Sequence, residues 1–240
     1  MTDARFIIER PIAHRGLHDG NLTVPENTLA AFLAAEKRDY AIELDVQLSS
    51  DGVPVVFHDR DLKRLCGRSE FVSELTADQL AQIRIGETDE RILSLKTVLD
   101  TLNAASVVIV EMKDNGERNG NFGQAVSEVI AKAEQPMAAM SFAHDLVSSF
   151  IKSDSGTPCG LTAEGTSDEA LQKHHAFMAT PEGQKVAFIS YNVSHLPNEF
   201  VHQMRAEKGL PIITWTVRNA EIRTHSDQYA EQITFEGFLP

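Results

Sequence analysis

IELDVQLSSDGVPVVFHD, residues 42–59, is the stretch on which the fold turns. Val46–Leu48 and Val53–Phe57 are both strand-like, and Ser49-Ser50-Asp51-Gly52 between them is turn chemistry, so the stretch predicts a β-hairpin. A hairpin folded near Asp51-Gly52 returns His58 to the level of Glu43 and Asp45. Outward from it, apolar, β-rich runs recur at Ile12–His14, Ile42–Val46, Val107–Met112, Met137–Phe142, Gly160–Ala163, Val186–Tyr191, Ile212–Val217 and Ile233–Phe235. The segments between them carry helical spacing, as in Leu29, Phe32 and Leu33, or Leu146, Val147, Phe150 and Ile151. Such alternation predicts an α/β fold with a parallel sheet, and eight repeats predict a closed TIM-type (β/α)8 barrel. Residues 60–103 are too long for an ordinary βα loop. They read as a small insertion after the hairpin that follows strand 2, on the barrel's active face, with helices near 76–83 and 94–103.

The chain has 240 residues, 42% hydrophobic and 24% charged, which suits one globular domain over 1–240 with a sizeable core. Its formal net charge is -13, and no Lys/Arg run is long enough to attract nucleic acid or anionic lipid. A small-molecule partner is expected, with no nucleic acid and no stable membrane association. A phosphate-bearing substrate would require local positive charge at the site, from basic side chains or a cation. Cys66 and Cys159 lie far apart without metal-type spacing, and the opening MTDARFIIERPIAHRG runs directly into a strand, so a cytoplasmic protein is expected. Gly116, Gly120 and Gly123 match no dinucleotide fingerprint and read as turn residues.

Glu43 and Asp45 stand two apart on one predicted strand, so their side chains share a face. Two carboxylates buried together repel and raise each other's pKa, so such a pair implies a metal or a proton between them; on an exposed strand face it would mean nothing. Glu111 and Lys113 repeat the spacing at the end of an apolar run that should be buried on both faces, at the strand end where barrel enzymes place catalytic groups. A lone strand-end histidine such as His14 is more often structural. With His58 also brought beside three carboxylates, a base and an acid near neutrality become available. Arg15 offers a fork for phosphate oxygens and Lys113 a point charge. Trp215, on the predicted strand ITWTV, reads as core packing or as a wall at the barrel mouth. Asn27 or Thr28, after Glu26, reads first as a helix N-cap. His174, His175 and the other histidines read as surface residues.

Taken in order, IAHRG, PENTLAAF, IELDV, the hairpin ending in VVFHD, the VEMK strand and ITWTV resemble the signature of the glycerophosphodiester phosphodiesterase family. The likeness is tightest over Ile12–Asp59 and loose between 140 and 210, where MSF and ISYN carry it. It implies a TIM-type barrel and metal-dependent hydrolysis of glycerophosphodiesters to glycerol 3-phosphate and an alcohol. It further implies Glu43, Asp45 and Glu111 as ligands of one divalent cation, His14 and His58 as general acid and base, Arg15 and Lys113 as phosphate contacts, and Glu26 as a support residue. An all-oxygen ligand set suits Mg2+ or Ca2+. The sequence departs from the family pattern at Met112 and in the last strand, where ITFEG lacks the usual aspartate. Two alternatives share the same residues: a lysophospholipid- or phosphoinositide-cleaving phosphodiesterase, and a barrel that binds phosphorylated alcohols without turning them over.

Overall fold

The computed structural model describes residues 3–114, 121–153 and 155–240. Its strands are β1 (Ile12–Ala13), β2 (Ala41–Leu48), β3 (Pro54–Val56), β4 (Val108–Met112), β5 (Met137–Ser141), β6 (Cys159–Ala163), β7 (Phe188–Asn192), β8 (Ile212–Val217) and β9 (Gln232–Phe235). All but β3 run parallel and close in the order β1-β2-β4-β5-β6-β7-β8-β9, with β9 returning to β1. This is the (β/α)8 barrel, and each of the eight apolar runs supplies one of its strands. The hairpin is also present. β3 pairs antiparallel with β2 through Val46↔Val56 and Leu48↔Pro54, and Phe57 donates its N–H to the Asp45 carbonyl.

Helices α1 (Leu29–Glu36), α4 (Leu95–Thr101), α5 (Phe122–Ile130), α6 (His144–Lys152), α7 (Asp168–Met178), α8 (Glu199–Ala206) and α9 (Ala220–Ser226) surround the barrel, while α2 (Lys63–Cys66) and α3 (Ala77–Leu80) lie between β3 and α4. The side chain of Thr28, rather than that of Asn27, caps α1 by accepting from Ala31 N–H, a contact of a kind worth about 1 kcal/mol. The helices expected near 76–83 and 94–103 appear as α3, reduced to one turn, and α4. Residues Leu62, Leu65, Val72, Leu80, Ile83, Ile85 and Ile92 form a separate apolar cluster with Val55 and Phe57, whereas Leu95, Val98 and Leu99 of α4 join the main core under the helices.

The period of two along each strand sorts the site residues. Ile42, Leu44 and Val46 pack outward under the helices, and so do Val108, Val110 and Met112. The alternate residues Ala41, Val107 and Ile109 pack inside the barrel with Ile12, Ala138, Met140, Phe188 and Ile213. Glu43, Asp45 and Glu111 share that inward parity, nearer the C-terminal ends of β2 and β4. Burial of the apolar layer beneath them leaves these carboxylates nowhere to point but the barrel mouth.

Two expectations need correcting. Gly123 is a helix residue of α5, and a Cβ there would lie 2.6 Å from the Phe150 backbone nitrogen, so its bare backbone lets α5 and α6 touch. Gly116 and Gly120 lie outside the described residues. His174 is half-buried: its ring packs against Phe200 and edge-on to His144 and Tyr191, with Nε2 3.0 Å from the Glu164 carbonyl. His175 rests edge-on to Phe200. Aromatic neighbours on α6, α8 and β7 draw these rings inward, which the polar surface of α7 does not announce. No helix among the described residues is long and apolar enough to cross a membrane.

Candidate active site

The site assembles where β1, β2, β4, β8 and β9 end. Asp45 and Glu111 are register partners across β2 and β4, and with Glu43 they place carboxylate oxygens within 4.8 Å of one another, all three buried. Arg15, held at φ 55, donates its backbone N–H to Glu43 Oε2 at 2.8 Å. Gly16 follows at φ +78, where a Cβ would strike Ala31, so the chain turns tightly after β1 and presents His14 and Arg15 to the mouth. Asn27 grips Asp45 from both sides: its Nδ2 donates to Oδ2 at 2.8 Å, and its Oδ1 accepts from the Asp45 backbone N–H at 3.1 Å. It does so at φ 57, a left-handed conformation that asparagine tolerates.

Charge in the cluster is uneven. Lys113 Nζ donates to Glu111 Oε1 at 2.6 Å and lies 3.5 Å from Asp45 Oδ1, while Arg15 Nε lies 3.2 Å from Asp45 Oδ2. Burial opposes ionisation of Asp45, but Lys113 and Arg15 outweigh it and hold its pKa below the usual value. At Glu43 burial prevails over the pull of Arg15 and, reinforced by Asp45 and Glu111, pushes that carboxyl well above its usual range. Burial likewise raises Glu111, against the pull of Lys113. Glu43 Oε1 is buried without a hydrogen-bond partner among the described residues. A buried, mutually repelling oxygen set with an unsatisfied acceptor fits a divalent cation, and its chemistry is that of hard-cation ligands.

Two histidines flank this cluster in matching fashion. His14 Nδ1 meets Glu236 Oε2 at 2.5 Å, and Arg218 donates to Glu236 Oε1 through Nε at 2.8 Å. His58 Nδ1 meets Asp59 Oδ1 at 2.7 Å, and Arg64 donates to both Asp59 oxygens at 2.7 and 2.9 Å. Burial pushes the His14 pKa down, in part countered by Glu236. A cavity of about 270 Å3 opens on this arrangement and is lined by His14, Arg15, Glu43, Asp45, His58, Glu111, Lys113 and Trp215. Phe142 joins the lining and stands edge-on to Trp215 at 5.2 Å, and Trp215 Nε1 donates to the Ser190 carbonyl at 3.3 Å. The stretches MSF and ISYN thus supply this wall and its anchor.

Glu26 is the one expected site residue that does not line the cavity. It sits behind Arg15, accepting from Arg15 Nη1 at 2.7 Å and from Arg64 at 2.7 and 3.0 Å. Burial disfavours its charge, but Arg64 and Arg15 hold its pKa below the usual range. Sequence reasoning did not find Asn27, Arg64, Arg218, Glu236 or His18, whose Nε2 lies 3.7 Å from Glu236 Oε2. Glu236 follows β9 at a strand end, the position that singled out His14 and Glu111, so it carried a usable signal. Arg64 and Arg218 carried none.

Comparisons with known proteins place the chain in a family. Residues 14–239 match the Glycerophosphoryl diester phosphodiesterase family. The chain is 28% identical over 230 residues to "Putative glycerophosphodiester phosphodiesterase YhdW" of Bacillus subtilis, covering 87% of this chain and 86% of that protein. The crystal structure of a glycerophosphodiester phosphodiesterase from Thermotoga maritima superposes with a TM-score of 0.75 at 27% identity, over 93% of this chain and 92% of that one. An Oleispira antarctica phosphodiesterase, solved in complex with the product sn-glycerol-3-phosphate, shares the fold with a TM-score of 0.81 at 21% identity, over 97% and 95%. The chain therefore belongs to the glycerophosphoryl diester phosphodiesterase family and is a phosphodiesterase.

Proposed function

We propose that the protein hydrolyses glycerophosphodiesters to glycerol 3-phosphate and an alcohol, using a divalent cation together with His14 and His58. The observation that carries this is the trio of buried carboxylates set between two histidines, each oriented through Nδ1 by its own carboxylate. Glu43, Asp45 and Glu111 would hold the cation, Mg2+ or Ca2+, which when bound supplies positive charge against the phosphoryl oxygens. Arg15 and Lys113 contribute fixed positive charge at the same mouth, already aimed by Glu26, Asp45 and Glu111, so little reorganisation is needed when a phosphate enters. With Nδ1 of each ring engaged, Nε2 is the nitrogen left to exchange a proton. One histidine takes the proton of the attacking oxygen and the other returns one to the leaving alcohol; where the glycerol 2-hydroxyl rather than water attacks, a cyclic phosphate forms first and water then opens it to glycerol 3-phosphate with the two roles exchanged. Trp215 and Phe142 offer an apolar wall to the carbon skeleton of the diester. A cytoplasmic setting forms part of the proposal and fits the free thiols of Cys66 and Cys159.

The test is release of glycerol 3-phosphate from glycerophosphocholine and glycerophosphoethanolamine after EDTA stripping, with Mg2+ or Ca2+ restored, beside His14→Ala. Turnover that requires both the cation and His14 is expected. Turnover of a lysophospholipid but of neither soluble diester would replace this substrate class with a lipid one, and cation-independent turnover would remove the metal from the mechanism.

A further inference from the structure

The stretch ITFEG, in which the usual aspartate is missing, supplies a carboxylate to the site after all. Glu236 sits just past β9, whose Phe235 carbonyl accepts from the His14 backbone N–H at 2.9 Å, so the ends of β1 and β9 lie side by side. Its Oε2 meets His14 Nδ1 while its Oε1 accepts from Arg218 Nε at 2.8 Å, and Arg218 Nη2 lies 2.7 Å from the same oxygen. Glu236 is thus clamped on one oxygen and faces the ring with the other. His18 Nε2 stands 3.7 Å from Oε2, close but outside hydrogen-bond reach. An ionised carboxylate only accepts hydrogen bonds, so the nitrogen facing it must carry the hydrogen.

We propose that Glu236 is a positioning residue that locks His14 as the Nδ1–H tautomer and turns its bare Nε2 into the catalytic cavity. Burial disfavours the charge on Glu236, but His14, His18 and Arg218 outweigh it and hold its pKa below the usual range, in keeping with an acceptor-only partner. The proton exchanged with the reacting oxygen passes through Nε2. The Nδ1 hydrogen stays in the bond to Glu236, which stabilises the imidazolium form without itself becoming protonated. Arg218 belongs to this device through Glu236, although it also lines the cavity.

For its kinetic consequence this inference rests on the acid-base role proposed for His14; its structural content does not. The experiment is therefore a 15N long-range correlation spectrum of the His14 ring in the Mg2+-supplied, full-length protein above neutral pH, assigned by its loss in His14→Ala, with kcat and KM measured alongside. The wild type should show protonated Nδ1 and unprotonated Nε2. Glu236→Gln, whose amide can donate to Nδ1, should move the ring toward the Nε2–H tautomer. It should lower kcat on the order of 10²- to 10⁴-fold while KM changes less than about threefold. Glu236→Asp, shorter but still acceptor-only, should restore the Nδ1–H signature and part of kcat. A wild-type ring protonated at Nε2 overturns the proposal, as does Glu236→Gln with unaltered kcat or with an unaltered tautomer. Should Glu236→Gln fail to fold, the wild-type spectrum decides. A wild type inactive on every diester would sink the proposed function, and the same spectrum would then still decide whether Glu236 sets the His14 tautomer.

Discussion

His14 and His58 are held alike and built differently. Each offers Nδ1 to a carboxylate that an arginine grips from behind, Glu236 with Arg218 in one case and Asp59 with Arg64 in the other. The first set belongs to the barrel: His14 and Glu236 follow β1 and β9, whose pairing closes the ring, and the His14 side chain is 14% exposed. The second belongs to the hairpin and the segment after it. His58 follows β3, Arg64 lies on α2, and the apolar cluster of Leu62, Leu65 and Val72 holds that segment down, leaving the His58 side chain 27% exposed. Sheet register thus fixes one half of the site, while a small satellite core fixes the other. Damage to the satellite should loosen His58 and Arg15, which Arg64 reaches through Glu26, and spare His14.

The largest effects should come from the rings themselves. His14→Ala and His58→Ala are each expected to lower kcat on the order of 10²- to 10⁴-fold, measured by glycerol 3-phosphate release; a loss at only one would break the symmetry between the halves. Next comes the shared centre. Glu43→Gln should weaken cation affinity by more than the roughly 10- to 100-fold that an outer partner of a metal ligand is worth, and Asn27→Ala, which removes two hydrogen bonds that orient Asp45, should fall within that range by calorimetry. Undiminished affinity in Glu43→Gln would remove that residue from the site.

A pH dependence follows from the raised pKa of Glu43. In the metal-free protein this residue binds its proton more tightly folded than unfolded. Its stabilising contribution is present below the ordinary glutamate value of about 4.3 and is lost as pH rises through the raised value. Cation binding must displace that proton, so affinity should strengthen with pH across the same window and proton release should accompany it. Pairs of titrations in buffers of different ionisation enthalpy would measure the release, and none anywhere across that window would contradict the raised pKa of Glu43.

Smaller effects sharpen the contrast between halves. Arg64→Ala removes partly exposed ion pairs worth about 1 kcal/mol, so kcat/KM should fall roughly fivefold, with the His58 ring signal broadened and that of His14 unchanged. Gly123→Ala forces α5 from α6 and should cost about 1–3 kcal/mol of stability by denaturant titration, with kcat intact, because no residue of either helix lines the cavity.

The barrel was legible because both faces of its strands are buried, which turns each strand into a short apolar run that a single sequence displays. The carboxylates, both histidines and Lys113 were legible for the opposite reason: charge at the end of an apolar run has few explanations. What escaped were polar contacts between residues distant in sequence. Arg64 and Arg218 are ordinary surface arginines until folding sets them beside Asp59 and Glu236, and Asn27 reads as a cap because Thr28, its neighbour, is one. Gly123 escaped because what it makes room for is the backbone of another helix, at Ser149 and Phe150.

The pH dependence of kcat/KM at saturating cation bears most directly on a site that works through two histidines in opposite protonation states. A bell with one limb on each side of its optimum is the expected result, whereas a profile flat across neutrality would contradict it.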